Sequence, residues 1–117
     1  MWRLLQYDGA YDRLMAECDQ AMKDAIKPRL AQVLIKGNLA RYPVTEPLGD
    51  GLFEIRARAK KVRIRLLFGF LLRKRIVVVW GGTKDQRRLP PATIDAARRL
   101  LKEAEATIEK LHVINLH

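Results

Sequence analysis

Residues Gly51 to Gln86 read GLFEIRARAKKVRIRLLFGFLLRKRIVVVWGGTKDQ, and the rest of the chain is organised around this stretch. It holds three runs of β-branched, aromatic and aliphatic residues, which are Leu52–Arg58, Val62–Leu72 and Ile76–Gly82. Short basic segments, AKK and RKR, separate these runs and are typical of turns between strands. The stretch therefore predicts a meander of two β-hairpins.

Successive side chains of a strand point to opposite faces of a sheet, so each predicted strand has an apolar and a charged face. The apolar face carries Phe53, Ile55, Ala57, Val62, Ile64, Leu66, Phe68 and Phe70. The charged face carries Glu54, Arg56, Arg58, Arg63 and Arg65. Like charges opposed on neighbouring strands cost about 0.2–1 kcal/mol per pair. The pattern therefore predicts either an anionic ligand on this face or a solvated outer face with the arginine heads extended into water.

Length and charge set the broad class. A chain of 117 residues that is 49% hydrophobic and 31% charged has room for one globular domain, residues 1–117, with one core. Its formal net charge of +10 predicts an anionic partner, which is either a polyphosphate chain or an acidic protein. The charge alone does not choose between these two.

Cysteine use and the apolar runs indicate a soluble cytoplasmic protein. Cys18 is the only cysteine, which excludes an intramolecular disulfide and a cysteine-built metal site, and we expect it to be a core residue on a helix. The N-terminus lacks the apolar stretch of a signal peptide. The longest apolar run, Leu66–Leu72, is too short to span a bilayer, so no membrane partner is expected.

The segment before the sheet predicts a short strand and a helical hairpin. Trp2–Tyr7 is apolar and aromatic and precedes an Asp-Gly turn signal. From Tyr11 onward the apolar residues follow a helical period. Pro28 is disfavoured inside a helix, so we expect a first helix to end there and a second to run to about Lys36, where Gly37 would cap it.

Two loops and a final helix complete the predicted α+β fold. Asn38–Asp50 and Thr83–Pro91 are rich in prolines and lack a period, which predicts loops. The final helix has one apolar stripe, which we expect to lie across the apolar face of the sheet, although a coiled-coil seam or a docking surface is an alternative. The predicted domain thus has an N-terminal helical hairpin, a small antiparallel sheet of three to four strands and a C-terminal helix. The stripe consists of Ile94, Ala97, Leu101, Ala104, Ile108 and Leu111.

The order of the segments PLGDGLFEIR, RIRLLF, IVVVWGGTK and AARR resembles the RelE/HigB superfamily of toxins from type II toxin–antitoxin systems, most of all its phage-derived, addiction-module killer subgroup. The resemblance covers Gly37 to Leu101. It implies a RelE-like fold and a ribosome-dependent endoribonuclease, or mRNA interferase. Such an enzyme cleaves messenger RNA by transesterification without a metal or cofactor. It further implies a cognate antitoxin, a helix-turn-helix protein encoded nearby, as a partner beside the ribosome and the mRNA.

The resemblance also implies site residues. Arg65 matches the arginine of the family's R-[LIV]-x-[YF] strand, Arg56 matches its E-[LI]-R, and Lys84 matches the lysine after the last strand. Glu46 lies where some members have a general base. Many relatives have His-Gly-Phe-x-Lys-Lys where this chain has Trp-Gly-Gly-Thr-Lys-Asp, residues 80–85, so the second lysine is replaced by an acid.

Further candidates come from residue chemistry. His112 and His117 are the only histidines, and an imidazole suits proton transfer near neutral pH; in some relatives the last residues reach the site, so His117 is a candidate general acid. Tyr42 and Trp80 are candidates for stacking on an RNA base. The residues predicted to bind RNA are Arg58, Lys60, Lys61, Arg63, Arg87, Arg88 and Trp80.

The scaffold does not settle the target, because gyrase-directed toxins share it. A non-enzymatic inhibitor of a replication enzyme such as gyrase and a basic RNA-binding protein are therefore the alternatives to an endoribonuclease.

Overall fold

The computed structural model describes residues 1–40, 44–83 and 87–116 and has an α+β fold built on one sheet. The helices are α1 (Ala10–Glu17), α2 (Gln20–Lys36) and α3 (Pro91–Ala106). The strands are β1 (Arg3–Tyr7), β2 (Glu46–Gly49), β3 (Leu52–Ala59), β4 (Val62–Leu71), β5 (Arg75–Gly82) and β6 (Leu111–Val113). They are ordered β2-β3-β4-β5-β1-β6, and only the β1–β5 pair is parallel. The predicted fold class is confirmed, although the sheet has six strands instead of the predicted three to four.

The predicted meander is confirmed as β3, β4 and β5, whose bounds lie within a few residues of the three apolar runs. Lys60, Arg73 and Lys74 have positive φ angles, as tight turns between strands often require. A bulge in β5 gives Leu67 the partner Trp80 and Phe68 the partner Val78. The bulge breaks the alternation of side chains along β5.

The first strand is confirmed, although it lies inside the sheet. β1 pairs with β5 on one side and with β6 on the other. β6 begins at Leu111, which the sequence pattern assigned to the apolar stripe of the last helix. That helix ends at Ala106, and a single turn of 3₁₀ helix, Ile108–Lys110, leads into β6.

The predicted break of the helical hairpin at Pro28 is wrong. α2 continues through this proline, and the hairpin breaks at Cys18 and Asp19, where the Asp19 side chain caps α2 by accepting a hydrogen bond from the backbone N–H of Met22 at 2.9 Å. Pro28 is exposed, whereas Ile26 and Leu30 on either side of it are fully buried. Burial of the Ile26 and Leu30 side chains offsets the roughly 3 kcal/mol that a proline inside a helix costs. Cys18 is buried as expected, but it lies just after α1 and not within a helix.

The prediction that the last helix covers the apolar face is also wrong. α1 and α2 pack on that face, with Ile55, Ile64, Leu66 and Phe68 beneath them. α3 packs on the opposite face, where Ala97, Leu101 and Ala104 join a second core. β4 places leucines on both faces of the sheet. The leucines on the second face also have to be buried, and α3 buries them. The strand residues in this second core are Leu5, Tyr7, Leu52, Leu67, Leu71, Val77 and Val79.

The predicted loop Asn38–Asp50 contains the short edge strand β2, which the sequence pattern missed because Pro47 lies in it. An edge strand tolerates proline, since one side of its backbone faces solvent. β2 pairs only with the first residues of β3, and its register ends with Glu46 beside Glu54. This pairing brings Glu46 against the charged face of the sheet.

No described helix combines the length and the apolar character needed to cross a membrane.

Candidate functional site

Two pairs of arginines face each other across β3 and β4. Arg56 is the register partner of Arg65, and Arg58 is the partner of Arg63. They occupy the face on which α3 packs, but α3 covers Leu67 and Leu71, which lie farther along β4. The apolar contacts of α3 therefore lie away from the charged end of this face.

An arginine cleft of about 410 Å³ lies at this end of the sheet. Its described lining contains six arginines and no carboxylate, and these side chains come from α2, β3, β4 and the segment before α3. A concave surface lined by one sign of charge concentrates the electrostatic potential and attracts anions. The described residues that line it are Arg29, Arg56, Ala57, Arg58, Arg63, Arg65 and Arg87.

A second cleft of about 720 Å³, called here the mixed cleft, shares three of these arginines. Its lining includes apolar side chains from β2, from the segment before α3 and from the start of α3, together with two carboxylates. Arginine, carboxylate and apolar groups in one cleft suit a ligand that carries both charged and apolar parts. The described residues that line it are Glu46, Leu48, Glu54, Arg56, Arg65, Arg87, Arg88, Leu89, Pro91 and Ile94.

Glu54 connects the arginines at the junction of the two clefts. Its Oε1 atom lies 3.3 Å from Nε of Arg56, and its Oε2 atom lies 3.6 Å from Nε of Arg65. Arg56 also places Nη2 2.8 Å from Oε2 of Glu46. The four side chains thus form one alternating chain of charges, Glu46–Arg56–Glu54–Arg65.

Arg65 is a buried cation, with a side chain that is only 4% exposed. Its Nη2 atom donates a hydrogen bond to the backbone carbonyl of Arg87 at 2.6 Å, but its buried Nη1 atom has no hydrogen-bond partner among the described residues. Burial lowers the pKa of Arg65, and Glu54 opposes that effect. A buried donor without an acceptor costs about 1–3 kcal/mol, so Nη1 is a ready donor for a ligand oxygen.

Glu54 is buried as well, and burial raises its pKa. Arg56 and Arg65 act in the opposite direction, and Glu46 adds a smaller increase in the pKa. The pKa of Glu54 therefore depends on both guanidinium groups.

The RelE/HigB resemblance and residue chemistry implied five catalytic residues, and the structure brings three of them together: Arg56, Arg65 and Glu46. Lys84, His117 and Tyr42 lie outside the described residues. His112 is exposed on β6, at the opposite edge of the sheet from β2.

The residues predicted to bind RNA divide into two groups. Six line a cleft or lie in the adjoining turn: Arg58, Arg63 and Arg87 line the arginine cleft, Arg88 lines the mixed cleft, and Lys60 and Lys61 are exposed in the turn between β3 and β4. Trp80 forms the second group by itself. It is half-buried against the core beneath α3, and its ring lies over Gly82.

Two members of the site were missed by sequence reasoning. Arg29 lies in the middle of α2, far from the sheet in sequence, and no local signal marks it as a cleft residue. Glu54 was placed on the charged face by its spacing of two from Arg56, but it was not predicted to be a site residue.

No group of three or more histidine, cysteine, aspartate or glutamate side chains within residues 1–40, 44–83 and 87–116 is arranged to hold a metal ion.

The sequence model of a family described as "Phage derived protein Gp49-like (DUF891)" matches residues 14–102, which are 89 of the 117 residues. The match includes both clefts' strand residues and most of α3. A search of curated proteins finds no match.

Proposed function

Since the chain belongs to the family of phage-derived Gp49-like proteins, we propose that it is the toxin of a type II toxin–antitoxin system, of the RelE/HigB type, and that it cleaves messenger RNA on the ribosome. The observation that carries this proposal is the arginine cleft with the Glu46–Arg56–Glu54–Arg65 chain at its border. A cleft with six arginines suits a polyphosphate backbone. The α+β architecture is compatible with a RelE-like fold.

The proposed reaction is a transesterification. The ribose 2′-oxygen forms a bond to the phosphorus and loses its proton to a base, while the bond from phosphorus to the 5′-oxygen breaks and that oxygen takes up a proton. The products are a 2′,3′-cyclic phosphate and a 5′-hydroxyl. The charge that develops on the phosphoryl oxygens is the quantity that the protein must stabilise.

Arg56 and Arg65 supply that stabilisation in the proposal. A guanidinium binds two phosphate oxygens with a planar pair of hydrogen bonds and stays protonated near neutral pH. The unpartnered Nη1 atom of Arg65 gives a donor whose hydrogen bond the phosphate completes. Donors fixed before the reaction act without a reorganisation cost, which is the condition for strong electrostatic catalysis.

Glu46 is the described group best suited to accept the 2′-hydroxyl proton. Its side chain is 44% exposed, whereas that of Glu54 is 7% exposed, so Glu46 is the carboxylate that a ligand can reach. The general acid is assigned to Lys84 or His117 as a proposal from the family resemblance, and both residues lie outside the described part of the chain.

Exposed cations around the clefts fit a second part of the proposal, which is recruitment to the ribosome. Lys60 and Lys61 form a basic turn near the arginine cleft and attract ribosomal RNA over a distance that salt shortens. An antitoxin encoded nearby would silence this face until it is removed, either with an acidic segment over Arg56 and Arg65 or by steric exclusion of the ribosome from another side.

Growth after induced expression tests the function. We expect expression without an antitoxin to stop growth and to truncate transcripts within translated regions. Arg56→Ala should restore growth and intact transcripts, because its half-exposed side chain is not needed for the core. Arg99→Ala, an exposed arginine on α3, is the matched control and should remain toxic.

Three outcomes would contradict the proposal. Normal growth with soluble wild-type protein would oppose toxin activity. Growth arrest with intact transcripts and an induced DNA-damage response would favour an inhibitor of a replication enzyme such as gyrase. Salt-sensitive RNA binding with neither effect would indicate a basic RNA-binding protein.

A further inference from the structure

We propose that Glu54 is a positioning residue that fixes the orientation of the Arg56 and Arg65 guanidinium groups for one phosphate, and that it takes no part in proton transfer. The inference rests on the proposed function, because the phosphate is taken to be the scissile group of RNA. It assigns a separate role to each carboxylate of the site, with Glu46 as the exposed carboxylate and Glu54 as the buried carboxylate that contacts both arginines.

The contacts of Glu54 are divided between the two arginines. One carboxylate oxygen faces Nε of Arg56 at 3.3 Å and the other faces Nε of Arg65 at 3.6 Å. Each guanidinium is therefore held at the nitrogen nearest its own chain. This arrangement leaves the terminal nitrogens to make the contacts that face away from Glu54.

The terminal nitrogens of the two arginines have different partners. Nη2 of Arg56 contacts Glu46, and Nη2 of Arg65 donates to the carbonyl of Arg87. Nη1 of Arg65 has no hydrogen-bond partner in the described part of the chain. A phosphate between the two side chains can accept from Nη1 of Arg65 and from Arg56, whose contact with the exposed Glu46 is the more easily exchanged.

Burial separates the proposed role from that of a general base. The side chain of Glu54 is 7% exposed and both of its oxygens already face a cation, whereas that of Glu46 is 44% exposed, so Glu46 is the carboxylate more open to the substrate. Arg65 is 4% exposed and Arg56 is 46% exposed. A carboxylate that contacts two facing cations offsets their repulsion and keeps them close enough to share a single anion.

The first measurement follows the arginine Nε–H groups by ¹H–¹⁵N NMR and needs no RNA cleavage. In the wild type, the Nε–H groups of Arg56 and Arg65 should exchange with water more slowly than that of the exposed Arg99. Glu54→Gln should accelerate exchange and shift the resonance at those two arginines alone. The matched control is Glu105→Gln, which replaces an exposed carboxylate on α3 and should change neither signal.

The second measurement separates binding from turnover with one RNA in two forms. An uncleavable form with 2′-deoxyribose at the cleavage site reports the Kd by fluorescence anisotropy, and the ribose form on ribosomes reports the rate per bound complex. Glu54→Gln removes a negative charge, so binding should be equal or tighter. Misoriented arginines should nevertheless lower the rate by roughly 10²-fold. Glu54→Asp, which keeps the charge on a shorter side chain, should recover part of this rate.

Unchanged Nε–H exchange in Glu54→Gln would overturn the proposal, and so would a rate per bound complex equal to the wild type. If Glu54→Gln does not fold, the wild-type exchange rates still decide, because fast exchange at both arginines would show that Glu54 does not hold them. A wild type that binds RNA but never cleaves it would refute the proposed function, while slow Nε–H exchange that depends on Glu54 would still support the positioning of the two arginines.

Discussion

The two faces of the same sheet are covered to different extents, and the difference locates the candidate site. The face under α1 and α2 buries aliphatic and aromatic side chains along β3 and β4, and Ile55, Ile64, Leu66 and Phe68 are fully buried there. On the other face the apolar side chains are buried against α3, and the face continues into arginines. The candidate site thus begins where the apolar contacts of α3 end.

Each face contributes something that the other cannot. Apolar burial on the first face supplies stability at roughly 25 cal/mol per Å². The open end of the second face holds opposed cations and a buried donor without a partner among the described residues, both of which cost stability. Such costs are typical of sites whose groups are arranged for a ligand and not for the resting fold.

The largest change in the free energy of unfolding is expected on the face covered by α1 and α2. Phe68→Ala should destabilise the protein by about 3–5 kcal/mol, because the ring is fully buried and contacts the rings of Phe53 and Phe70. Chemical denaturation monitored by circular dichroism measures this loss. Leu72→Ala, at a leucine that is 84% exposed, should change stability by less than about 0.5 kcal/mol. Similar losses in both variants would show that the two sites are buried to the same extent.

A smaller loss is expected where α3 meets the sheet. A Cβ atom at Gly69 would lie 2.5 Å from Cδ2 of Leu101, so Gly69→Ala should cost about 1–3 kcal/mol through overpacking. The cost should shrink in a Leu101→Ala background, where the clashing atoms are absent. A double-mutant cycle of denaturation curves tests this coupling, and strictly additive losses would mean that α3 does not rest on Gly69.

Glu54, on the face that carries the arginines, should make the stability of the protein depend on pH. Because burial raises the pKa of Glu54 in the folded protein, the folded state binds this proton more tightly than the unfolded chain. The resulting stabilisation is fully present below the ordinary glutamate value of 4.5 and is lost as pH rises through the raised folded pKa. The unfolding free energy of the wild type minus that of Glu54→Gln should therefore decrease over this window. A difference that grows with pH would show that Arg56 and Arg65 outweigh burial.

The smallest effect concerns the exposed turn beside the arginine cleft. Replacing Lys60 and Lys61 together by alanine should make the dependence of log Kd on log salt shallower for single-stranded RNA. The slope should fall by about 0.7 for each phosphate that the protein no longer neutralises. Lys102→Ala, at an exposed lysine of α3, should leave the slope unchanged. Equal changes in both variants would mean that RNA does not follow the cleft side of the sheet.

Local patterns predicted much of this molecule because their physical causes are local. Alternation along β3 and β4 predicted which side chains share a face, and the turn signals predicted both hairpins. The patterns failed where neighbours in space outweighed propensity. Buried anchors carry α2 through Pro28, and β1 stabilises the three-residue strand β6 that looked like the end of a helix.

The candidate site shows the same division. Alternation placed Arg56 and Arg65 on one charged face, and the family resemblance added Glu46. Sequence spacing did not reveal Arg29, because α2 reaches the cleft through packing between segments that are far apart in the chain.

A basic α+β chain with a charged sheet face follows from the amino-acid sequence alone, since composition, strand alternation and helical period are properties of neighbouring residues. Only the tertiary structure shows which helix covers which face of the sheet. It alone also shows that Glu54 contacts both Arg56 and Arg65. Those outcomes depend on register and on competition for apolar surface, which are settled when distant segments pack together.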